Sequence, residues 1–317
     1  MRLVALIIAG LLAAPLAAQA EGYPDRPIRL VVGFGAGGPT DIPARFVAEK
    51  LTGMLGQRML VENKPAAGGM IATREVVHQK PDGYTLLLCT HFEAINTAVY
   101  KDPGYSLADI APVSLIARYY YGLAMANTIP ATDYDGFVAY VKLHPGEVNY
   151  ATVGTGSAQQ VLARQLQKLA GIKMVEVPFQ GGAGVVQEIV AGRIQFYVSP
   201  TLAIMPQYRA GQLKILATTS PERLHSTPDI PTLREAGVDF VRFGWLGVCA
   251  PKGTPAPVVA LLNRDIGQVV ASPEYHVLIE TAGSIPESST PDGLEKIMQK
   301  TVDDIRPTIV EFGLQKE

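Results

Sequence analysis

The chain has 317 residues, 48% hydrophobic and 18% charged, with 27 Lys and Arg against 29 Asp and Glu. These proportions exclude a disordered or fibrous chain and fit one large or two medium globular domains with a sizeable core. With no Lys/Arg cluster, neither nucleic acid nor an anionic membrane is implied as a partner, and two cysteines do not make a disulfide framework.

In chain order, the first twenty residues read as a secretory leader. Arg2 is a minimal charged start, Leu3 to Leu12 an apolar run, and Ala18-Gln19-Ala20 a small-x-small cleavage site before Glu21. A bilayer span needs roughly 20 apolar residues, more than this run offers. Without a twin-Arg pair or a Cys near the cleavage point, the leader predicts Sec-type export to the periplasm with no lipid anchor.

A strand from Ile28 to Val32 then enters Gly33-Phe34-Gly35-Ala36-Gly37-Gly38-Pro39-Thr40-Asp41, a glycine-rich turn before a helix stopped by Gly56. Such a turn lets a ligand approach bare peptide N–H groups at a helix N-terminus, which is anion-binding chemistry. Gly33-x-Gly35-x-x-Gly38 also satisfies the dinucleotide fingerprint, with Glu62 about where a ribose partner would stand. Export to a compartment without a ready nicotinamide supply ranks that reading below carboxylate binding. Asp41 reads as a helix cap or as a selector beside the anion. A strand from Met59 to Glu62, a helix from Ile71 to Gln79 and a strand from Tyr84 to Cys89 complete a βαβαβ unit whose apolar strands predict a buried parallel sheet. Thr90, His91 and Phe92 follow the third strand, where open α/β sheets place ligand contacts; His91 is equally readable as a plain loop histidine.

Two further strands are expected at Pro112 to Arg118 and Tyr121 to Ala126, then a helix from Tyr134 to Leu143. From Val148 the first unit repeats in architecture. A strand leads into Gly154-Thr155-Gly156-Ser157, a helix runs from Ala158 to Ala170, and a strand from Met174 to Pro178 leads through Gln180 into a helix from Val185 and a strand from Ile194 to Val198. Ser157 is both a natural N-cap and a candidate ligand donor. Leu213 to Thr218 adds a strand, and Trp245 to Ala250 is expected to return the chain to the first unit. Helices from Pro257 to Ala271 and from Pro291 toward Phe312 follow. The expected division is a leader over 1–20, a first domain of 21–120 plus 246–317, and a second of 121–245. Two crossovers make a hinge, and facing loops make a cleft.

Catalytic and cofactor signatures are lacking. There is no Gly-x-Ser-x-Gly elbow, the five histidines lack metal-ligand spacing, and no cofactor or metal is expected. Cys89 and Cys249 are expected as free buried thiols, or as a bridge if their strands are neighbours.

The residues Val31-Val32-Gly33-Phe34 with Gly37-Gly38-x-Thr40-Asp41, Val61-Glu62-Asn63-Lys64-Pro65-x-Ala67-Gly68-Gly69, Pro81-Asp82-Gly83-Tyr84, Gly154-x-Gly156-Ser157 and Asp229-x-Pro231-Thr232 resemble, in order, the Bug-type receptors of tripartite tricarboxylate transporters. The resemblance implies two Rossmann-like α/β domains joined by two crossovers, the type II periplasmic binding protein arrangement. It also implies a non-catalytic monomer that passes a di-, tri- or aromatic carboxylate to an inner-membrane permease, with a sensor kinase as an alternative partner. By that likeness Phe34, Gly35, Ala36, Gly37, Gly38, Thr40 and Asp41 would form one clamp, and Gly154, Thr155, Gly156 and Ser157 the other; Thr90, His91, Phe92, Gln160, Gln180 and Ser199 are further candidate ligand contacts. The family's Pro-rich loop start is Gly35-Ala36 here, its third glycine is Pro39, and a common histidine is Gln160.

Overall fold

The computed structural model describes residues 22–154, 156–179 and 182–316. The expected leader and two candidate site residues, Thr155 and Gln180, lie outside that set.

The chain opens with β1 (Ile28–Val32), α1 (Asp41–Leu55), β2 (Met59–Asn63), α2 (Met70–Val77), β3 (Thr85–Thr90) and α3 (His91–Val99). β1 pairs with β2 and β3 in parallel, as the buried apolar strands predict, and every residue of β3 is buried. α3 departs from the loop expected at residues 90–92. Its start is written as a capping box, in which Phe92 N–H donates to Thr90 Oγ1 while the Glu93 carboxylate accepts from Thr90 N–H.

β4 (Ile110–Ala126) is one strand of 17 residues rather than the two expected, because Tyr119 and Tyr120 carry the ladder onward instead of turning. Its first part pairs antiparallel with β9 (Phe243–Pro251) as far as Tyr120↔Phe243. From Tyr121 its partners are β7 (Phe196–Pro200) and β8 (Leu213–Thr218), also antiparallel. Between these partners lie α4 (Tyr134–Leu143), β5 (Asn149–Thr152), α5 (Ala158–Ala170), β6 (Val175–Pro178), α6 (Gly182–Val190) and α7 (Thr201–Arg209), with β7, β5 and β6 parallel. The closing elements are α8 (Ala256–Val270), α9 (Pro273–Thr281), β10 (Ser284–Pro286), antiparallel to β4, and α10 (Pro291–Glu311). Two α/β lobes therefore share β4, and separate apolar clusters pack around Val31 and Trp245 and around Ile189 and Tyr197.

Cys89 and Cys249 form a disulfide, with Cα atoms 5.8 Å apart, correcting the expectation of free thiols. β3 and β9 are antiparallel neighbours in which Leu87 faces Cys249 and Cys89 faces Gly247, so the sulfurs meet on the diagonal between adjacent strands.

Candidate functional site: two glycine-rich loops against one helix

The loop from β1 to α1 touches the loop from β2 to α2. A Cβ on Gly33 would lie 2.7 Å from Gly69 Cα, so only a bare backbone fits there. Gly35, Ala36 and Gly37 are exposed at the rim. Beneath them Asp41, with 1% of its surface exposed, ties the turn together. Its carboxylate accepts from Gly37 N–H (2.8 Å), Arg45 Nε (2.7 Å) and Asn63 Nδ2 (2.7 Å), and Asn63 Nδ2 also reaches Phe34 O (3.0 Å). Burial pushes the Asp41 carboxyl up, but the hydrogen bonds from Arg45, Gly37 and Asn63 outweigh it and hold the group below the usual carboxylate range. Asp41 is in the first turn of α1, not at its cap; Thr40 occupies that position, and its Oγ1 is buried without a partner among the described residues.

The loop from β5 to α5 is built on the same plan. Gly156 N–H donates to Gln160 Oε1 (2.7 Å), Gln160 Nε2 donates to Glu176 on β6 (2.5 Å), and Arg164 and Tyr150 complete that carboxylate at 2.9 and 2.8 Å. Ser157 caps α5 by accepting from Gln160 N–H (3.3 Å). In both lobes a glycine amide in the turn is held by the residue four positions later, and that side chain is anchored to the following strand. The expectation of bare N–H groups is thus corrected at Gly37 and Gly156, whose amides are used internally. The N–H groups of Gly35, Ala36 and Gly38 make no hydrogen bond among the described residues.

Both loops rest on α3. Phe34 and Phe92 pack with ring centroids 5.5 Å apart, and a Cβ on Gly156 would fall 2.6 Å from Val99 Cγ1. Of the residues expected at the end of β3, Thr90 is committed to the capping box. His91 is 3% exposed; its Nδ1 lies 3.0 Å from Tyr119 OH and its Nε2 3.3 Å from Tyr121 OH, and burial lowers its pKa to about 3. Neutral imidazole satisfies both hydroxyls, one as donor and one as acceptor. Ser199 is fully buried on β7, its hydroxyl donating to Pro200 O (3.2 Å).

Asn63, Arg45, Glu176 and Arg164 organise the loops and were absent from the expected set. Asn63 stands inside the Val61–Gly69 motif, the one signal that pointed toward it. Glu62, the imagined ribose partner, is instead held by Arg29 (2.6 Å) and Lys64 (3.1 Å). Among the described residues no group of three or more His, Cys, Asp or Glu could hold a metal ion, and no helix is long and apolar enough to cross a membrane.

Protein BugT of Bordetella pertussis is 33% identical to this chain over 285 residues, which cover 89% of this chain and 87% of its own length. R. palustris Rpa4515 with adipate superposes with a TM-score of 0.86 at 28% identity, covering 92% of this chain and 98% of that one. MatC from Rhodopseudomonas palustris with bound malate gives 0.82 at 29% identity, covering 90% and 100%. Residues 43–314 match the family described as the tripartite tricarboxylate transporter family receptor, and the chain belongs to that family.

Proposed function

We propose that this chain is a periplasmic receptor that captures a small organic carboxylate between its two glycine-rich loops and delivers it to the permease of a tripartite transporter. The reading rests chiefly on one observation: two loops of the same internal construction, one per lobe, converge on α3. The adipate and malate held by the two Rhodopseudomonas relatives support a dicarboxylate as the ligand. In this scheme the rim amides of Gly35, Ala36 and Gly38 take one carboxylate, and Ser157 with the N-terminus of α5 takes the other. Asp41, Gln160 and His91 shape the walls.

A helix terminus contributes about 0.3–2 kcal/mol per charge, so closure of the lobes and several hydrogen bonds must supply the remaining affinity. The change of β4 partners at Tyr121 and the start of β9 support a lobe boundary near 120 and 245. The disulfide suits an oxidising compartment. We assign the protein a binding role without turnover, as a monomer.

Calorimetric titration with malate, adipate, citrate and benzoate tests the proposal, with NAD as the control. One-to-one binding of a dicarboxylate, weakened severalfold by Ser157→Ala, is expected. Binding of NAD and of none of the carboxylates would sink it.

A further inference from the structure

α5 is tied down at both ends. Its N-terminus carries Ser157 and, just before it, the Gly156 turn that rests on Val99 of α3. Its second half reaches across to α10. Gln165 Nε2 donates to Thr308 Oγ1 (2.5 Å), Lys168 pairs with Glu311, and the Arg164 guanidinium lies 5.9 Å from the Phe312 ring centroid. The two helices belong to different lobes. α5 packs on β5 and β7. α10 is fastened to the other lobe by Trp245 Nε1, which donates to Thr301 Oγ1 (3.1 Å), and just past its end by Lys316 N–H, which donates to Val99 O (2.8 Å).

The junction stands off from the strands on which the chain crosses between lobes. A cavity of about 320 Å³, lined among others by Ile95, Tyr121, Leu162, Phe243 and Ile305, lies between them. The polar and cation–ring contacts beyond it are individually weak, so they can form and break reversibly. The junction also leads back to the ligand loop. Arg164 holds Glu176 (2.9 Å), Glu176 accepts from Gln160 Nε2 (2.5 Å), and Gln160 Oε1 accepts from Gly156 N–H (2.7 Å).

We propose that the α5–α10 junction is an interlobe latch, made when the lobes close on ligand and released when they part, with Gln165, Lys168 and Thr308 as positioning residues for Gly156 and Ser157. The latch rests on the receptor reading above and adds to it the element that sets how much of the population is closed. Apparent affinity scales with that population, so loosening the latch weakens binding although none of its residues belongs to the clamp.

Calorimetry with malate and adipate, paired with small-angle scattering of the ligand-free protein, tests it in Thr308→Val, Lys168→Glu and the charge swap Lys168→Glu/Glu311→Lys. Thr308→Val and Lys168→Glu should each weaken binding about two- to fivefold and enlarge the ligand-free radius of gyration. The swap should restore both quantities, which a residue that only stabilises its own helix would not do. The latch is overturned if Thr308→Val and Lys168→Glu match wild type in affinity and scattering alike, or if the swap fails to recover what Lys168→Glu lost. If wild type binds neither acid, the receptor reading fails for these ligands, and the scattering comparison alone decides the latch. Lys168→Glu changes an exposed side chain and keeps the test open should Thr308→Val fail to fold.

Discussion

Asp41 stays ionised out of contact with water because three donors converge on its carboxylate, one each from the turn, the helix and β2. Asp41→Ala should lower the unfolding free energy by about 2–3 kcal/mol, the scale of hydrogen bonds to a charged group. It should also weaken carboxylate binding, since the turn loses its anchor; urea denaturation and calorimetry read the two effects separately. Binding unchanged in the folded variant would remove Asp41 from the architecture of the clamp. Two other buried groups, adjacent in sequence but for Phe92, titrate in opposite senses. Burial raises Glu93 to about 7, against hydrogen bonds from Thr90 and Thr73 that favour the ionised form, and burial lowers His91 to about 3. The folded state keeps the proton on Glu93 that the unfolded state releases, so this contribution to stability is lost as pH rises from about 4.5 to about 7. His91 is neutral when folded and protonated when unfolded, so its contribution is lost as pH falls from about 6.5 toward 3. Between about 4.5 and 6.5 the two slopes oppose one another. Wild type should therefore show a flat stability profile there, while Glu93→Gln should expose the His91 slope, approaching 1.4 kcal/mol per pH unit. Parallel profiles for variant and wild type in pH-dependent thermal unfolding would contradict this.

At the scale of elements, the two loops share a plan but not their surroundings. Gly37 and Gly156 both have positive φ, at 73° and 78°, yet a Cβ on Gly37 meets open space and one on Gly156 meets two Val99 methyl carbons at 2.6 and 2.7 Å. Gly37→Ala should cost roughly 1–2 kcal/mol of backbone strain. Gly156→Ala should cost more and also weaken ligand binding, because α3 must move away from the loop; equal losses in both assays would mean that the contact yields freely. Sequence legibility followed local punctuation. Helix α4, helix α5 and strand β8 begin and end where their caps, glycines and apolar runs predict. α3 went unrecognised because β3 runs into it without glycine or proline, although Thr90-x-x-Glu93 spelled out its capping box. α7 was hidden by Pro206 inside it, and α9 by a short Ser272-Pro273 start that itself caps the helix. At the candidate site, glycine spacing located both turns, but not where their amide protons go. That depends on side chains four residues later and on the next strand, a long-range pairing that spacing does not encode.

For the whole molecule, the bridge between Cys89 and Cys249 closes a loop of 160 residues that contains the entire stretch from α3 to the start of β9. Restricting a loop of that length in the unfolded chain should stabilise the fold by roughly 2–5 kcal/mol. The double variant Cys89→Ala/Cys249→Ala should melt earlier by a corresponding amount and retain carboxylate binding when folded, because neither cysteine supplies a hydrogen bond that holds the glycine-rich turns. An unchanged melting temperature would show that the bridge restrains nothing the sheet does not already hold. The same ladder governs how the second lobe is attached. Tyr120 and Phe243 face one another at its last pair, so the chain departs on β4 and comes back on the neighbouring β9, which the disulfide ties to β3 on its other side. Such an attachment is a cassette socket: the intervening segment of a relative could be spliced between the same two strands without disturbing the registers beneath, making ligand preference exchangeable between homologues as a block.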